Sequence, residues 1–212
     1  MAVSVGIVTS CYGATYHRFL DEWSSAILDL NTQPDWITIV HDGVDLDIQR
    51  AIDRRLDIDW IEDTLTAHRL HPQVHVNQAI AQTFTDWILK VDVDDQLMPH
   101  ALDGWQDTQA DVVSFGYRID LADHPSRPVT AEEMLAKLDN PIGSCSPFRR
   151  WVWETNRFRD ILYDDWAFWI EAARAGAVFT NTGRVDYRYR SHPEQISRRI
   201  DHAAALQEIR AL

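Results

Sequence analysis

Trp87-Ile88-Leu89-Lys90-Val91 runs without a break into Asp92-Val93-Asp94-Asp95. The first part is a nearly continuous apolar run, the pattern of a strand covered on both faces. The second gathers three carboxylates within four residues, which repel one another unless something compensates them. A strand covered on both faces belongs to a sheet with helices on either side, and such sheets bind ligands beyond the carboxyl ends of their strands. The acidic cluster stands at such an end.

The pattern continues on both sides. Upstream, Val3 to Thr9 is short, β-branched and apolar and gives way to a turn-like Ser10 to Ala14, which predicts a buried first strand. Tyr16, Phe19, Leu20, Trp23, Ile27 and Leu30 recur at spacings of three and four, one face of a helix that Pro34 ends. Trp36 to Val40 is a second strand delivered into His41-Asp42-Gly43, a polar helix follows over Asp45 to Leu56, and Ile58 to Ile61 reads as a short third strand. Asp63 to Gln73 shows no periodicity; Val74 to Thr83 reads as a helix.

Downstream, Pro99 is expected to open a helix, a position that favours proline. Val112 to Tyr117 is a further strand, Leu121 to Val129 a loop, and Thr130-Ala131-Glu132-Glu133 a capping box opening a helix to about Leu138. Asp165 to Ala175 reads as a helix capped at Gly176. Val178 to Thr180 and Val185 to Tyr189 read as two short strands, and the last dozen residues as a small helix. The fold expected is α/β, a mainly parallel central sheet flanked by helices in one Rossmann-like domain over 1–212.

At 212 residues with 45% hydrophobic and 25% charged side chains, the composition is that of an ordinary globular chain. No stretch approaches the roughly 20 apolar residues of a membrane-spanning helix, and no signal peptide is read at the N-terminus. The net charge of −13 argues against a nucleic-acid partner, which needs a broad basic face. Ten of the eighteen arginines nevertheless lie between Arg149 and Arg199, while lysine occurs only at Lys90 and Lys137. Arginine forks concentrated late in the chain suit a local phosphate or carboxylate. Cys11 and Cys145 form no metal-ligand spacing and read as small buried residues in a reducing, cytoplasmic setting.

A divalent cation is the usual compensation for clustered carboxylates, and oxygen ligands suit Mg²⁺ or Mn²⁺. Along a strand residues i and i+2 point the same way, so Asp92 and Asp94 can face one ligand. Three blocks then resemble the family-two glycosyltransferases of the GT-A fold: Asn77-Gln78-Ala79-Ile80-Ala81 before the acidic strand with Pro99 and Ala101-Leu102 after it, Asp164-Asp165-Trp166 with Ala175-Gly176, and Tyr187-Arg188-Tyr189-Arg190-Ser191-His192-Pro193 with Ser197-Arg198. The resemblance covers nearly the whole chain in the right order.

That resemblance implies a single GT-A-like domain, its 1–120 half binding a nucleotide sugar and its 121–212 half binding an acceptor and carrying a C-terminal metal or phosphate segment. It implies inverting transfer from a nucleoside-diphosphate sugar, UDP-linked by the family's habit, to an acceptor hydroxyl, with Mn²⁺ or Mg²⁺ as cofactor. Asp42 would recognise the base and Asp92 the ribose or metal; Asp94 and His192 would ligate the metal, and Asp165 would be the general base. Thr9, at the first strand end, and Arg190 and Arg198 are further candidates for holding the donor. His41, Val76 and Asp164 stand where the family commonly has Asp, Arg and Glu. Trp166, Trp169 and Phe168 read as core and pocket wall, and Trp151 and Trp153 lie where an acceptor could bind. His68, His71 and His75 fit no metal spacing and read as loop or helix-surface residues. Pairing into a homodimer is one way so compact a chain could complete an acceptor surface.

Two other classes gather carboxylates at sheet ends. A metal-dependent nucleotidyltransferase or phosphohydrolase needs a nucleophile or further acidic ligands not found in the sequence. A non-catalytic GT-A-like module that binds sugar or protein would keep the fold without turnover.

Overall fold

The computed structural model describes residues 3–63 and 75–212; His68 and His71 therefore lie outside the described residues. One sheet of nine strands organises them: β1 (Val5–Cys11), β2 (Trp36–His41), β3 (Asp59–Glu62), β4 (Trp87–Lys90), β5 (Gln96–Leu97), β6 (Val112–Ile119), β7 (Ala122–His124), β8 (Phe148–Arg149) and β9 (Phe179–Tyr189). Their spatial order is β3-β2-β1-β4-β8-β6-β9-β5, with β7 on β6. β1, β2, β3 and β4 pair in parallel, as do β6 and β9; the short β5, β7 and β8 pair antiparallel. The sheet is thus mainly parallel, the fold class expected.

The helices are α1 (Ala14–His17), α2 (Leu20–Leu28), α3 (Leu46–Asp53), α4 (Val76–Gln82), α5 (Ala131–Ala136), α6 (Arg150–Thr155), α7 (Asp164–Arg174) and α8 (His202–Ala211). Strand parity splits the core into two layers. Ile7, Ile39 and Leu89 join Leu20, Trp23 and Ile27 of α2 on one face. Val8, Val40 and Ile88 join Ala79 and Ile80 of α4 and Phe168, Trp169 and Ile170 of α7 on the other. Apolar burial on both faces explains why β4 reads as an unbroken hydrophobic run, all four of its residues being buried.

Half of the expected capping box forms, Thr130 accepting from the Glu133 N–H at 3.1 Å while the Glu133 carboxylate turns to Arg127, and Gly176 takes φ +87° just past α7, a conformation that favours glycine. Several local expectations are corrected. No helix starts at Pro99: Pro99 O, which a helix would use, accepts from the Asn31 N–H, and the Met98 N–H donates to Asp186 O, so distant segments of the chain hold this stretch and turns follow β5. The helix expected over Tyr16 to Leu30 is two, α1 and α2, separated at Arg18-Phe19. The two strands expected after Val178 are one, β9, whose register against β6 shifts around Gly116. A Cβ there would lie 2.1 Å from Arg184 O, so only glycine lets the two backbones approach. The loop expected over Leu121 to Val129 contains β7.

Candidate active site

A cavity of about 700 Å³ opens beyond the carboxyl ends of β1 and β4. Asp92, Asp94 and Asp95 enter it from the loop after β4, Ser10 and Tyr12 from the end of β1, and Asp164, Asp165 and Trp166 from the start of α7. Tyr187 and Tyr189 of β9 and Asn140 to Ser144 complete the wall. The cavity therefore draws on both halves of the chain.

The three clustered aspartates have three different environments. Asp92 pairs with the buried Lys90, Oδ1 lying 2.7 Å from Nζ. Asp94 Oδ2 lies 2.9 Å from His192 Nε2. Asp95 is buried, accepting from the Arg190 N–H at 2.9 Å and from the Cys145 thiol at 3.5 Å. Burial, then the Asp92 charge, pushes the Asp94 carboxyl above the usual range even though His192 pulls it down. Burial and the Asp94 and Asp92 charges push Asp95 further still. Burial alone would lower the Lys90 ammonium, but Asp92 and Asp164 more than reverse this and hold it charged.

Asp165 lines the same cavity from the first turn of α7. Its Oδ1 accepts from the Trp166 N–H at 2.8 Å and its Oδ2 from Asn140 Nδ2 at 3.3 Å. Burial raises its carboxyl, opposed by Lys90. Its neighbour Asp164 is pushed up to about 8, first by burial, then by the Asp165 and Asp92 charges acting against Lys90. Asp164 therefore keeps its proton at neutral pH, whereas an Asp165 that is ionised is a stronger base than an exposed carboxylate.

Among the described residues no group of three or more His, Cys, Asp or Glu is arranged to enclose a metal ion. The donors that are present, Asp94 and His192, fit a different kind of site. Magnesium-type ions are commonly held by one or two protein groups, with substrate phosphates and water filling the remaining positions. His192 is 8% exposed, its Nδ1 3.1 Å from Glu194 Oε2; that contact orients the ring and turns Nε2 toward Asp94 Oδ2, so that both groups face one position.

His192 meets Asp94 from just behind the cavity lining, and the other sequence candidates also fall outside that lining. Thr9 is wholly buried because β1 runs on to Cys11; it is Ser10 that lines the cavity. Asp42, at the end of β2, accepts from the Gly13 N–H at 2.8 Å and so fixes the loop after β1. Arg190 Nε donates to Asp94 O at 2.8 Å, and its guanidinium pairs with Glu22 and lies over Phe19, so it shapes the acidic loop. Arg198 is exposed and donates to Ser191 Oγ. Trp151 and Trp153, expected near an acceptor, belong to α6 instead: Trp151 donates to Asp111 and Trp153 to Asn77. Asn77 thereby ties α4 to α6, a structural role. His75 is buried against Tyr12, 3.0 Å from Asp63, and not on a helix surface. Cys11 and Cys145 are buried free thiols raised chiefly by burial, which removes them as nucleophiles.

Residue-level reading missed Lys90, Asn140 and the tyrosines. Lys90 had a signal, as the single charge inside the apolar run, and Tyr187 and Tyr189 stood in the third resemblance block without a role; Asn140 had none, because only the folded chain brings it to the site.

No family model matches the sequence, and no curated protein matches it. The fold does match solved structures. TarS 1-349 from S. aureus in complex with UDP-GlcNAc superposes with a TM-score of 0.73 at 14% identity, over 94% of this chain and 62% of that one. The mannosyltransferase PcManGT from Pyrobaculum calidifontis, in complex with GDP-Man and Mn²⁺, superposes with a TM-score of 0.71 at 16% identity, over 100% of this chain and 64% of that one. The chain thus spans less than two thirds of the length of either. It has a GT-A-like glycosyltransferase fold.

Proposed function

We propose that the protein is an inverting glycosyltransferase that moves a sugar from a nucleoside-diphosphate donor, UDP-linked, to an acceptor hydroxyl. The observation that carries this reading is that Asp94 and Asp165 line one cavity from different elements. Inverting transfer needs such a division, with a carboxylate on the acceptor side facing a leaving diphosphate held on the other. Asp165 accepts the proton of the attacking hydroxyl as its oxygen bonds to the anomeric carbon and the diphosphate departs. Asn140 and the Trp166 N–H hold that carboxylate in place.

Asp94 and His192 are the residues that would hold Mn²⁺ or Mg²⁺, which when bound neutralises charge on the leaving diphosphate. Asp92 faces the donor's ribose or the metal, Asp42 supports base recognition through the loop it fixes, and Arg198 offers an exposed cation to phosphate. Arg190 serves the donor indirectly, by shaping the Asp94 loop. The complexes of TarS with UDP-GlcNAc and of PcManGT with GDP-Man and Mn²⁺ support a nucleotide-sugar donor for this fold. Free buried thiols suit a cytoplasmic setting, and no helix among the described residues is long and apolar enough to cross a membrane.

The test is a panel of UDP-, GDP- and TDP-sugars with and without Mn²⁺, followed by thermal shift and by donor hydrolysis. Selective, metal-dependent stabilisation together with slow sugar release is expected. Stabilisation without turnover would identify a binding module, and phosphate release from plain nucleotides a phosphohydrolase.

A further inference from the structure

Five aliphatic side chains line the cavity without joining either core layer: Ile119 at the end of β6, Leu138 after α5, Leu162 before α7, and Ile196 and Ile200 between β9 and α8. None is fully buried, and Leu138 is 87% exposed. Burial of apolar surface is the main favourable term in folding, and these side chains forgo much of it. They come from four separate segments, yet they converge on one concave site. Such convergence, with a few polar groups among it, is how a pocket receives a ligand that has apolar surface of its own.

The apolar wall adjoins Asp165. Asn140, two residues beyond Leu138, donates to Asp165 Oδ2 at 3.3 Å, and Leu162 stands three residues before Asp165. Polar contacts from α8 hold the wall in place. The Leu162 N–H donates to Glu208 Oε2 at 3.1 Å, and the Tyr163 hydroxyl meets His202 Nδ1 at 2.7 Å. Charge narrows the ligand further. Lys90 is the only cation among the described residues of the lining; it is 3% exposed and already paired with Asp92 at 2.7 Å. An anionic acceptor would meet the carboxylates of Asp139 and Asp165 with no other lining cation among the described residues to hold it.

We propose that the acceptor is a small, uncharged, soluble compound that carries its hydroxyl on an aromatic body, and that this body rests against Leu138, Leu162 and Ile200. The inference rests on the transferase reading above. A soluble source is favoured over a membrane alcohol because a net charge of −13 opposes approach to an anionic bilayer surface.

The experiment offers the full chain four acceptors in solution: methyl glucoside, phenyl glucoside, benzyl alcohol and phenyl glucuronide. It measures kcat/KM for transfer, and binding by calorimetry with UDP and Mn²⁺ present. Phenyl glucoside is expected to exceed methyl glucoside roughly 10- to 100-fold in kcat/KM, the gain from burying one ring. Phenyl glucuronide is expected to fall at least ~10-fold below phenyl glucoside. Leu138→Asn, at an exposed position that folding does not depend on, and Leu162→Asn are each expected to raise KM for phenyl glucoside about 10-fold, with UDP affinity kept within about threefold. A preference for methyl glucoside or phenyl glucuronide overturns the proposal. So does a Leu138→Asn that keeps the full aromatic preference, or one that loses UDP affinity as steeply, which would put the wall on the donor side. Failure of both phenyl glucoside and benzyl alcohol to bind at roughly 10 mM overturns it as well. Faster transfer to dodecanol in phosphatidylcholine vesicles than to benzyl alcohol in solution refutes the soluble source. Aromatic compounds that bind while no acceptor receives sugar refute the transferase reading, and with it the acceptor role; that failure is distinguished because binding persists.

Discussion

Replacing Asp165 by Asn keeps the side chain's shape and removes its charge, so it separates proton transfer from architecture. In the folded chain this carboxyl has two polar neighbours, the Trp166 N–H at 2.8 Å and Asn140 Nδ2 at 3.3 Å. An amide can satisfy the Trp166 N–H through its own oxygen. Asp165 contributes to the raised carboxyl of Asp164 but is itself favoured by the Lys90 charge, so its neutralisation removes one repulsion and one attraction and should move the melting temperature little. The donor-side residues Asp92, Asp94 and His192 lie on other elements and are untouched. A positioned general base is worth ~10²- to 10⁴-fold, which at about 1.36 kcal/mol per decade is roughly 2.7–5.4 kcal/mol of barrier. Asp165→Asn is therefore expected to lose that factor in kcat for transfer while its donor affinity changes by no more than about threefold. Single-turnover transfer of a radiolabelled donor, with calorimetry for donor binding, measures both. A variant that transfers at more than about a tenth of the wild-type rate refutes the base assignment. One that loses donor binding as steeply as turnover refutes the division of the cavity into donor and acceptor sides.

Three further outcomes follow from the same geometry. Asp94→Ala removes the carboxylate that His192 faces at 2.9 Å; thermal stabilisation by nucleotide sugar should lose its dependence on Mn²⁺, and a persistent Mn²⁺ effect would place the metal elsewhere. Asp164, pushed up to about 8, retains a proton in the folded state that the unfolded chain releases near the ordinary carboxylate value. The folded state binds more protons across that window, so this group's contribution to stability falls as pH rises from about 4 to 8. Asp164→Asn should flatten that part of the curve of melting temperature against pH, and an unchanged slope would show that Asp164 ionises normally. Trp169→Ala empties a site 1% exposed in the core layer behind α7; chemical denaturation should show a loss of ~3–5 kcal/mol, and a loss below about 1 kcal/mol would mean that layer is loosely packed.

What could be read without coordinates followed from local rules. β4 announced itself because burial on both faces demands apolar residues at every position, and α7 because Trp166, Phe168, Trp169 and Ile170 precede a glycine that ends the helix. The capping box at Thr130 is a contact between residues three apart. The expectations that failed were set by distant partners. Pro99 favours a helix start locally, yet Asp186 and Asn31 claim the backbone groups around it. β9 looked like two strands because Thr182-Gly183-Arg184 reads as a break, whereas pairing along β6 carries it through. Thr9 was placed at a strand end by a boundary two residues short, and in a strand a shift of one residue exchanges a cavity-facing side chain for a buried one.

The sequence by itself determined the alternation of elements, the mainly parallel sheet and the position of the acidic cluster at a strand end, because periodicity and burial pattern act over a few residues. It could not bring Asp165 into one cavity with Asp94, turn His192 toward Asp94, or bury Lys90 in the wall that Asp164 shares. Those juxtapositions join residues up to about a hundred positions apart, and only the packing of α7 and the C-terminal segment against the sheet decided them, since the site's electrostatics depend on spatial distance and burial that no local pattern encodes.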